Sequence, residues 1–165
     1  MLVKKLSLHF PIGLLYLLAS DILNGGIPSS KLPMYIANMP EGMSEASYFY
    51  KNSAVYFRDG MGLADLEKFA VHELIHNFQE QKDEKGNLTR LGLCTFKGSK
   101  PTGMALNEAA VQLLASNILE NTFETATYYD ITFSTISPNC YPLLCNLIYQ
   151  MAYVTGDEVL FESTF

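Results

Sequence analysis

Tryptophan is absent from this chain of 165 residues, and cysteine and charged residues are scarce. The three cysteines, Cys94, Cys140 and Cys145, are an odd number without the spacing of a zinc ribbon, so we expect free thiols and no disulfide framework. Such cysteine usage favours a reducing cytoplasm. Hydrophobic residues make up 48% of the chain and charged residues 17%, which is typical of a folded globular protein.

Basic clusters and long apolar runs are missing as well. The formal net charge is −6, and no basic cluster extends beyond Lys4-Lys5, so we expect no nucleic-acid partner. No apolar run is long enough for a membrane span. Residues 1–20 have the outline of a signal peptide, which would make the protein secreted, but His9 and Pro11 interrupt the apolar run. We therefore expect a retained first helix over about residues 12–23 in a cytoplasmic protein.

Two of the three histidines stand four residues apart, in the sequence His72-Glu73-Leu74-Ile75-His76. Positions i and i+4 share one face of a helix, so both imidazoles can close on one metal ion. Glu73 lies about 100° further around the helix from His72, where its carboxylate can reach a water on that metal. Apolar residues at helical spacing over residues 62–82 predict the helix that this pattern requires.

A catalytic zinc site needs a third protein ligand and an open position for water. The next segment that can supply the ligand is a predicted helix over residues 103–120, with Thr102 as its N-cap. Glu108 stands there among apolar and small residues, where an unpaired carboxylate is costly and a metal removes the cost. A glutamate favoured by the helix dipole is the alternative interpretation. If Glu108 is not a ligand, Glu80 and Glu84 are the next acids to consider.

The sequence HELIH, followed about thirty residues later by G-x-x-x-N-E-A, resembles the gluzincin metallopeptidases, the thermolysin-like group. The compact length is most similar to the small bacterial minigluzincins. The resemblance implies His72, His76 and Glu108 as ligands of one zinc ion per chain, with Glu73 as the general base. It covers about residues 52–118.

Two further positions belong to the same pattern. Asn107 matches the residue that precedes the ligand glutamate of the family. Four residues after that glutamate, the family has an acid that accepts a hydrogen bond from the first ligand histidine, and this chain has Gln112 there. An amide oxygen can accept the same hydrogen bond, although with less negative charge to raise the basicity of the imidazole.

The pattern along the chain predicts an α+β fold. Residues 32–37 predict a short strand whose proline favours a sheet edge, and residues 46–50 and 53–58 predict a hairpin. The resemblance implies that the strand before the motif helix, over residues 53–57, pairs with an extended substrate. Residues 82–102 have the composition of a polar connection.

Beyond the second helix, residues 127–133 are compatible with an extended segment, and residues 141–154 predict another helix with Pro142 in its first turn. We expect a single zincin-like domain over residues 1–165. Its N-terminal lobe, about residues 1–81, would hold a small mixed or antiparallel sheet beside the motif helix. Its C-terminal lobe, about residues 82–165, would be mainly helical.

Together these residues predict a zinc metallopeptidase that hydrolyses peptide bonds in a peptide or protein substrate. A catalytically weak or latent zinc-binding domain, acting mainly in protein–protein interaction, is the first alternative. A structural helical module with an accidental motif is the second. Five tyrosines are candidates for stabilising the oxyanion, although a core position is the commoner explanation of each: Tyr128, Tyr129, Tyr141, Tyr149 and Tyr153.

Overall fold

A computed structural model of the protein describes residues 3–5, 32–98 and 100–165. The chain divides into two compact units, Met1–Phe78 and Gln79–Phe165. The helix expected over residues 12–23 lies outside the described residues. Within the described part of the chain, no helix combines the length and the apolar character that crossing a bilayer demands.

The first unit contains a four-stranded mixed sheet formed by β1 (Val3–Lys5), β2 (Met34–Ala37), β3 (Ala46–Phe49) and β4 (Ala54–Arg58). In the sheet order β1-β2-β4-β3, β2 runs parallel to β4, and the other two pairs are antiparallel. The predicted hairpin of residues 46–58 is therefore confirmed.

Two expectations about the edges of this sheet were wrong. β2 lies inside the sheet, because Pro33 precedes its first paired residue and contributes only its carbonyl oxygen, which accepts a hydrogen bond from Val55 N–H at 3.0 Å. β4 is also internal, so it has no free edge for a substrate. Among the described strands, β3 occupies the edge next to β4.

The motif helix, α1 (Leu63–Gln79), follows β4 directly. Its apolar face shares a core with the sheet, in which Leu66, Ala70 and Leu74 join Val55 and Phe57. The helix ends at Gln79 and not at residue 82, because the chain continues as a strand.

The second unit contains an antiparallel sheet of four short strands, β5 (Glu80–Lys82), β6 (Leu88–Leu91), β7 (Cys94–Lys97) and β8 (Lys100–Thr102). The prediction of a polar connection over residues 82–102 was therefore wrong. These strands have three or four residues each, and β8 is exposed throughout, so their apolar residues are too few to show a period of two.

The remaining elements are α2 (Met104–Ile118), the hairpin of β9 (Glu124–Tyr128) and β10 (Ile131–Thr135), α3 (Pro142–Thr155) and α4 (Asp157–Glu162). The core of this unit lies mainly between its helices and includes Ala109, Leu113 and Ile148. The α+β class, with a mainly helical last part, is confirmed. The helix predicted over about residues 141–154, with Pro142 in its first turn, is confirmed as well and spans Pro142–Thr155.

The N-cap of α2 is Gly103 and not Thr102. Gly103 has φ +88°, and a Cβ atom at this position would lie 2.6 Å from the carbonyl oxygen of Leu93. Only glycine tolerates both the left-handed backbone and this close approach. The helix that carries Glu108 therefore starts at a position set by backbone contact and not by side-chain capping.

Candidate metal centre

His72 and His76 lie one turn apart on α1 and direct the same ring nitrogen towards a common point. Their Nε2 atoms are 3.2 Å apart, and their rings meet edge to face with centroids 4.9 Å apart. In a tetrahedral zinc site with Zn–N bonds of about 2.0–2.1 Å, two ligand nitrogens stand about 3.3 Å apart. The separation of the two Nε2 atoms is therefore compatible with a shared metal ion, and it is also the distance of a hydrogen bond between the two rings.

Glu108 is half-buried in the first half of α2. One ligand atom each from His72, His76 and Glu108 lie within 4.8 Å of one another. Two imidazole nitrogens and a carboxylate oxygen form a donor set that can hold a metal ion. The three ligand residues predicted from the sequence are thus brought together.

Glu73 is buried on α1 with 6% of its surface exposed. Its Oε2 atom accepts a hydrogen bond of 2.6 Å from the main-chain N–H of Tyr48, in β3. A buried carboxylate is costly unless donors satisfy it, and this N–H is such a donor. Tyr48 was not predicted from the sequence, because a contact made by a main-chain group leaves no signature in residue type.

Asn107 is completely buried beside Glu108 in the chain. Its Oδ1 accepts a hydrogen bond of 2.8 Å from the N–H of Leu93, which joins the start of α2 to the turn between β6 and β7. This contact gives Asn107 a structural role next to the ligand.

Gly92 belongs to the same turn and approaches two buried amides. It has φ +55°, and a Cβ atom there would lie 2.0 Å from Asn107 Oδ1 and 2.5 Å from Gln79 Oε1. Gln79 is completely buried at the end of α1. Gly92 and Gln79 were not predicted from the sequence, although a glycine inside an apolar segment is a known sign of close backbone approach.

Gln112 is buried on α2, and its Nε2 donates a hydrogen bond of 3.4 Å to Ser116 Oγ. With the amide nitrogen engaged in this way, the Oε1 atom is the group that would accept an N–H from an imidazole. The hydrogen bond from His72 to Gln112 stays a prediction.

All three cysteines are free. Burial raises the pKa of the Cys94 thiol, and the nearby Glu108 carboxylate raises it further, while a hydrogen bond from Thr102 partly opposes both. These effects favour the neutral thiol, which is a poor metal ligand compared with the thiolate. The group that could hold a metal ion consists of His72, His76 and Glu108 and does not include this thiol.

The five candidate tyrosines are all exposed, from 46% for Tyr141 to 87% for Tyr129, so the expectation of core positions was wrong.

Comparisons of the chain with models of known protein families, with curated proteins and with solved structures give no match. The resemblance to gluzincins therefore depends on the motif residues quoted above.

Proposed function

We propose that this protein is a zinc-dependent metallopeptidase of the gluzincin type, with a zincin-like fold. The observation that carries the proposal is the group of His72, His76 and Glu108, with the buried carboxylate of Glu73 adjacent to the first histidine. Two histidines and one glutamate leave one position of a tetrahedral metal open for water, as a catalytic zinc site requires.

The proposed cofactor is one zinc ion per chain. Imidazole nitrogen suits several transition metals, and the proposal of zinc rests on the two-histidine, one-glutamate ligand set with an open position. The 3.2 Å between the two Nε2 atoms is compatible with that site. A zinc ion held there would polarise the scissile carbonyl and lower the pKa of a water molecule.

In the proposed reaction, Glu73 is the general base. Its carboxylate accepts a proton as the water oxygen forms a bond to the carbonyl carbon of the substrate. Glu73 then gives this proton to the amine nitrogen as the C–N bond breaks, which yields a carboxylic acid and an amine. The proton of the new acid then passes to the amine, so that a carboxylate and an ammonium group leave. Burial of Glu73 keeps bulk water away from the transferred proton.

The proposed substrate is an extended peptide. Because β4 is internal, we assign substrate pairing to β3, the edge strand that immediately precedes β4 in the chain. A strand edge binds a peptide through main-chain hydrogen bonds and therefore accepts many sequences. On β3 this pairing would use edge-facing groups other than the Tyr48 N–H, which is bonded to Glu73. The three free cysteines support the proposal of a cytoplasmic location.

The proposal is tested by measuring zinc binding and hydrolysis of a denatured protein substrate together. We expect one zinc ion per chain, loss of zinc in His72→Ala and in His76→Ala, and hydrolysis by the parent protein. Glu73→Gln keeps the shape of the side chain but cannot accept the proton, so it should retain zinc and lose most of its activity. Stoichiometric zinc in the double histidine variant, or near-parental hydrolysis by Glu73→Gln, would contradict the proposal.

A latent zinc-binding domain that acts through protein–protein interaction is the second candidate. It is favoured by Gln112, which stands where the family has an acid. The Nε2 atom of Gln112 donates a hydrogen bond to Ser116 Oγ. Stoichiometric zinc binding in the parent without turnover of the denatured substrate would favour this second function.

A further inference from the structure

Strand β3 holds the proposed general base through its main chain. The N–H of Tyr48 donates to Glu73 Oε2 at 2.6 Å, a short distance typical of a hydrogen bond to a charged acceptor. Both residues are buried, with 9% of Tyr48 and 6% of Glu73 exposed. The contact joins residues 25 positions apart, so it forms only in the folded unit.

The strand register explains why this N–H points to Glu73. Tyr48 lies opposite Val55 in the antiparallel pair of β3 and β4, and Val55 N–H donates to Pro33 O on the other side of β4. Directly opposed residues in such a pair alternate between bonded and non-bonded, and this pair is non-bonded. The N–H of Tyr48 therefore faces away from β4, where a buried donor needs a partner.

A second residue of α1 anchors the same tyrosine. Asn77 Nδ2 donates a hydrogen bond of 3.0 Å to the hydroxyl oxygen of Tyr48. Glu73 and Asn77 are four residues apart and thus share one face of the helix. One residue of β3 is therefore held at its backbone by Glu73 and at the far end of its side chain by Asn77.

We propose that Tyr48 is a positioning residue that orients the carboxylate of Glu73, and that Asn77 fixes Tyr48 for this task. The inference rests on the proposed function. A free glutamate side chain samples many rotamers. A hydrogen bond from the main chain of a rigid strand to Oε2 restricts the Glu73 carboxylate to one of them. The gain is geometric, because a displacement of about 1 Å in a reacting group can reduce the rate by about 100-fold.

A matched pair of variants isolates the main-chain donor. Tyr48→Ala and Tyr48→Pro both remove the ring, but only proline removes the N–H. Proline leaves the β3–β4 ladder intact because this N–H is outside it. Its ring also enters the space next to Glu73 Oε2, so the carboxylate both loses its donor and must shift. We expect kcat of Tyr48→Pro to be about 10–100-fold below that of Tyr48→Ala, with KM changed by less than about 3-fold. Zinc stoichiometry should be the same in both variants.

Amide hydrogen exchange in the metal-free protein gives a readout that does not depend on activity. In Glu73→Ala the Tyr48 amide should exchange at least about tenfold faster than in the parent, whereas Glu73→Gln keeps an acceptor and should stay closer to it. The Phe49 amide, on the same strand, is the control and should change little if the fold is intact.

The outcomes separate the two proposals. Equal kcat in Tyr48→Pro and Tyr48→Ala, or unchanged exchange of the Tyr48 amide in Glu73→Ala, would overturn the positioning role and leave the peptidase proposal in place. A parent protein that binds zinc but hydrolyses nothing would overturn the peptidase proposal, and the positioning role with it. Faster exchange together with a selective loss of kcat supports both.

Discussion

Gly92→Ala should be among the most destabilising single substitutions near the candidate metal centre. An alanine Cβ would lie 2.0 Å from Asn107 Oδ1 and 2.5 Å from Gln79 Oε1, and both amides are completely buried. Neither side chain can move to solvent without opening the core. Moving Asn107 also breaks its 2.8 Å hydrogen bond from Leu93 N–H.

The magnitude follows from three contributions. A left-handed backbone costs an alanine about 1–2 kcal/mol. Overpacking of a tight core adds about 1–3 kcal/mol, and a buried hydrogen bond left unmade adds about 1–3 kcal/mol. Because the side chains will relax in part, we expect the free energy of unfolding to fall by about 3–5 kcal/mol in total. A typical domain has a free energy of unfolding of about 5–15 kcal/mol, so this is a large part of it.

Gly98→Ala is the matched control. Gly98 has φ +63°, close to the +55° of Gly92, but a Cβ atom there would have no atom within 4 Å. Its substitution should cost only the backbone contribution, about 1–2 kcal/mol. Urea denaturation followed by circular dichroism, with EDTA present so that metal binding does not add stability, measures the difference. A Gly92→Ala variant within about 1 kcal/mol of Gly98→Ala would refute the reasoning from close approach.

A double-mutant cycle identifies the group responsible. In an Asn107→Ala background the nearest obstacle is gone, so the cost of Gly92→Ala should fall by about 1–3 kcal/mol. Strict additivity of the two substitutions would show that Asn107 is not what Gly92 accommodates.

The remaining predictions concern the ligand set and the thiols. Glu108→Ala should weaken zinc binding strongly because it removes one of the three proposed ligands, and Gln112→Ala should weaken it less, by roughly 10–100-fold. Parental zinc affinity in Glu108→Ala would place the third ligand elsewhere. Burial raises the pKa of the Cys145 thiol to about 11, so alkylation of the native protein should label Cys140 faster, as mass mapping can show. Because this folded-state pKa lies above the ordinary 9.0, the contribution of Cys145 to the free energy of unfolding is fully present below pH 9.0 and is lost as the pH rises to about 11. The fall in the free energy of unfolding over this pH range should be smaller in Cys145→Ala.

The parts of the site that the sequence predicted are those whose chemistry depends on side-chain type and short spacing. His72 and His76 are identified by a separation of four residues, which a helix converts into a shared face. Glu108 is distant in the chain, and it was predicted because a carboxylate in an apolar helix needs a partner. The helices and the β3–β4 hairpin have clear periods and were predicted for the same reason.

The parts that the sequence did not predict depend on the main chain. The sheet of residues 80–102 is built from short, mostly exposed strands, and the start of α2 is set by the contact between Gly103 and Leu93. Sheet order also needs pairing partners from distant segments, which is why the internal position of β4 was not predicted. Backbone proximity of this kind is not encoded in residue identity at any single position.

The contact between Tyr48 and Glu73 combines both kinds of information. The glutamate is specified by its type and by its place next to His72, and its partner is an N–H group that any residue except proline would offer at position 48. What distinguishes tyrosine from other residues at position 48 is then its hydroxyl group, which accepts a hydrogen bond from Asn77. If the main chain of β3 orients the base, the edge strand that we assign to substrate and the group that activates water are parts of one rigid arrangement. A displacement of β3 would then be expected to lower kcat before it affects zinc binding.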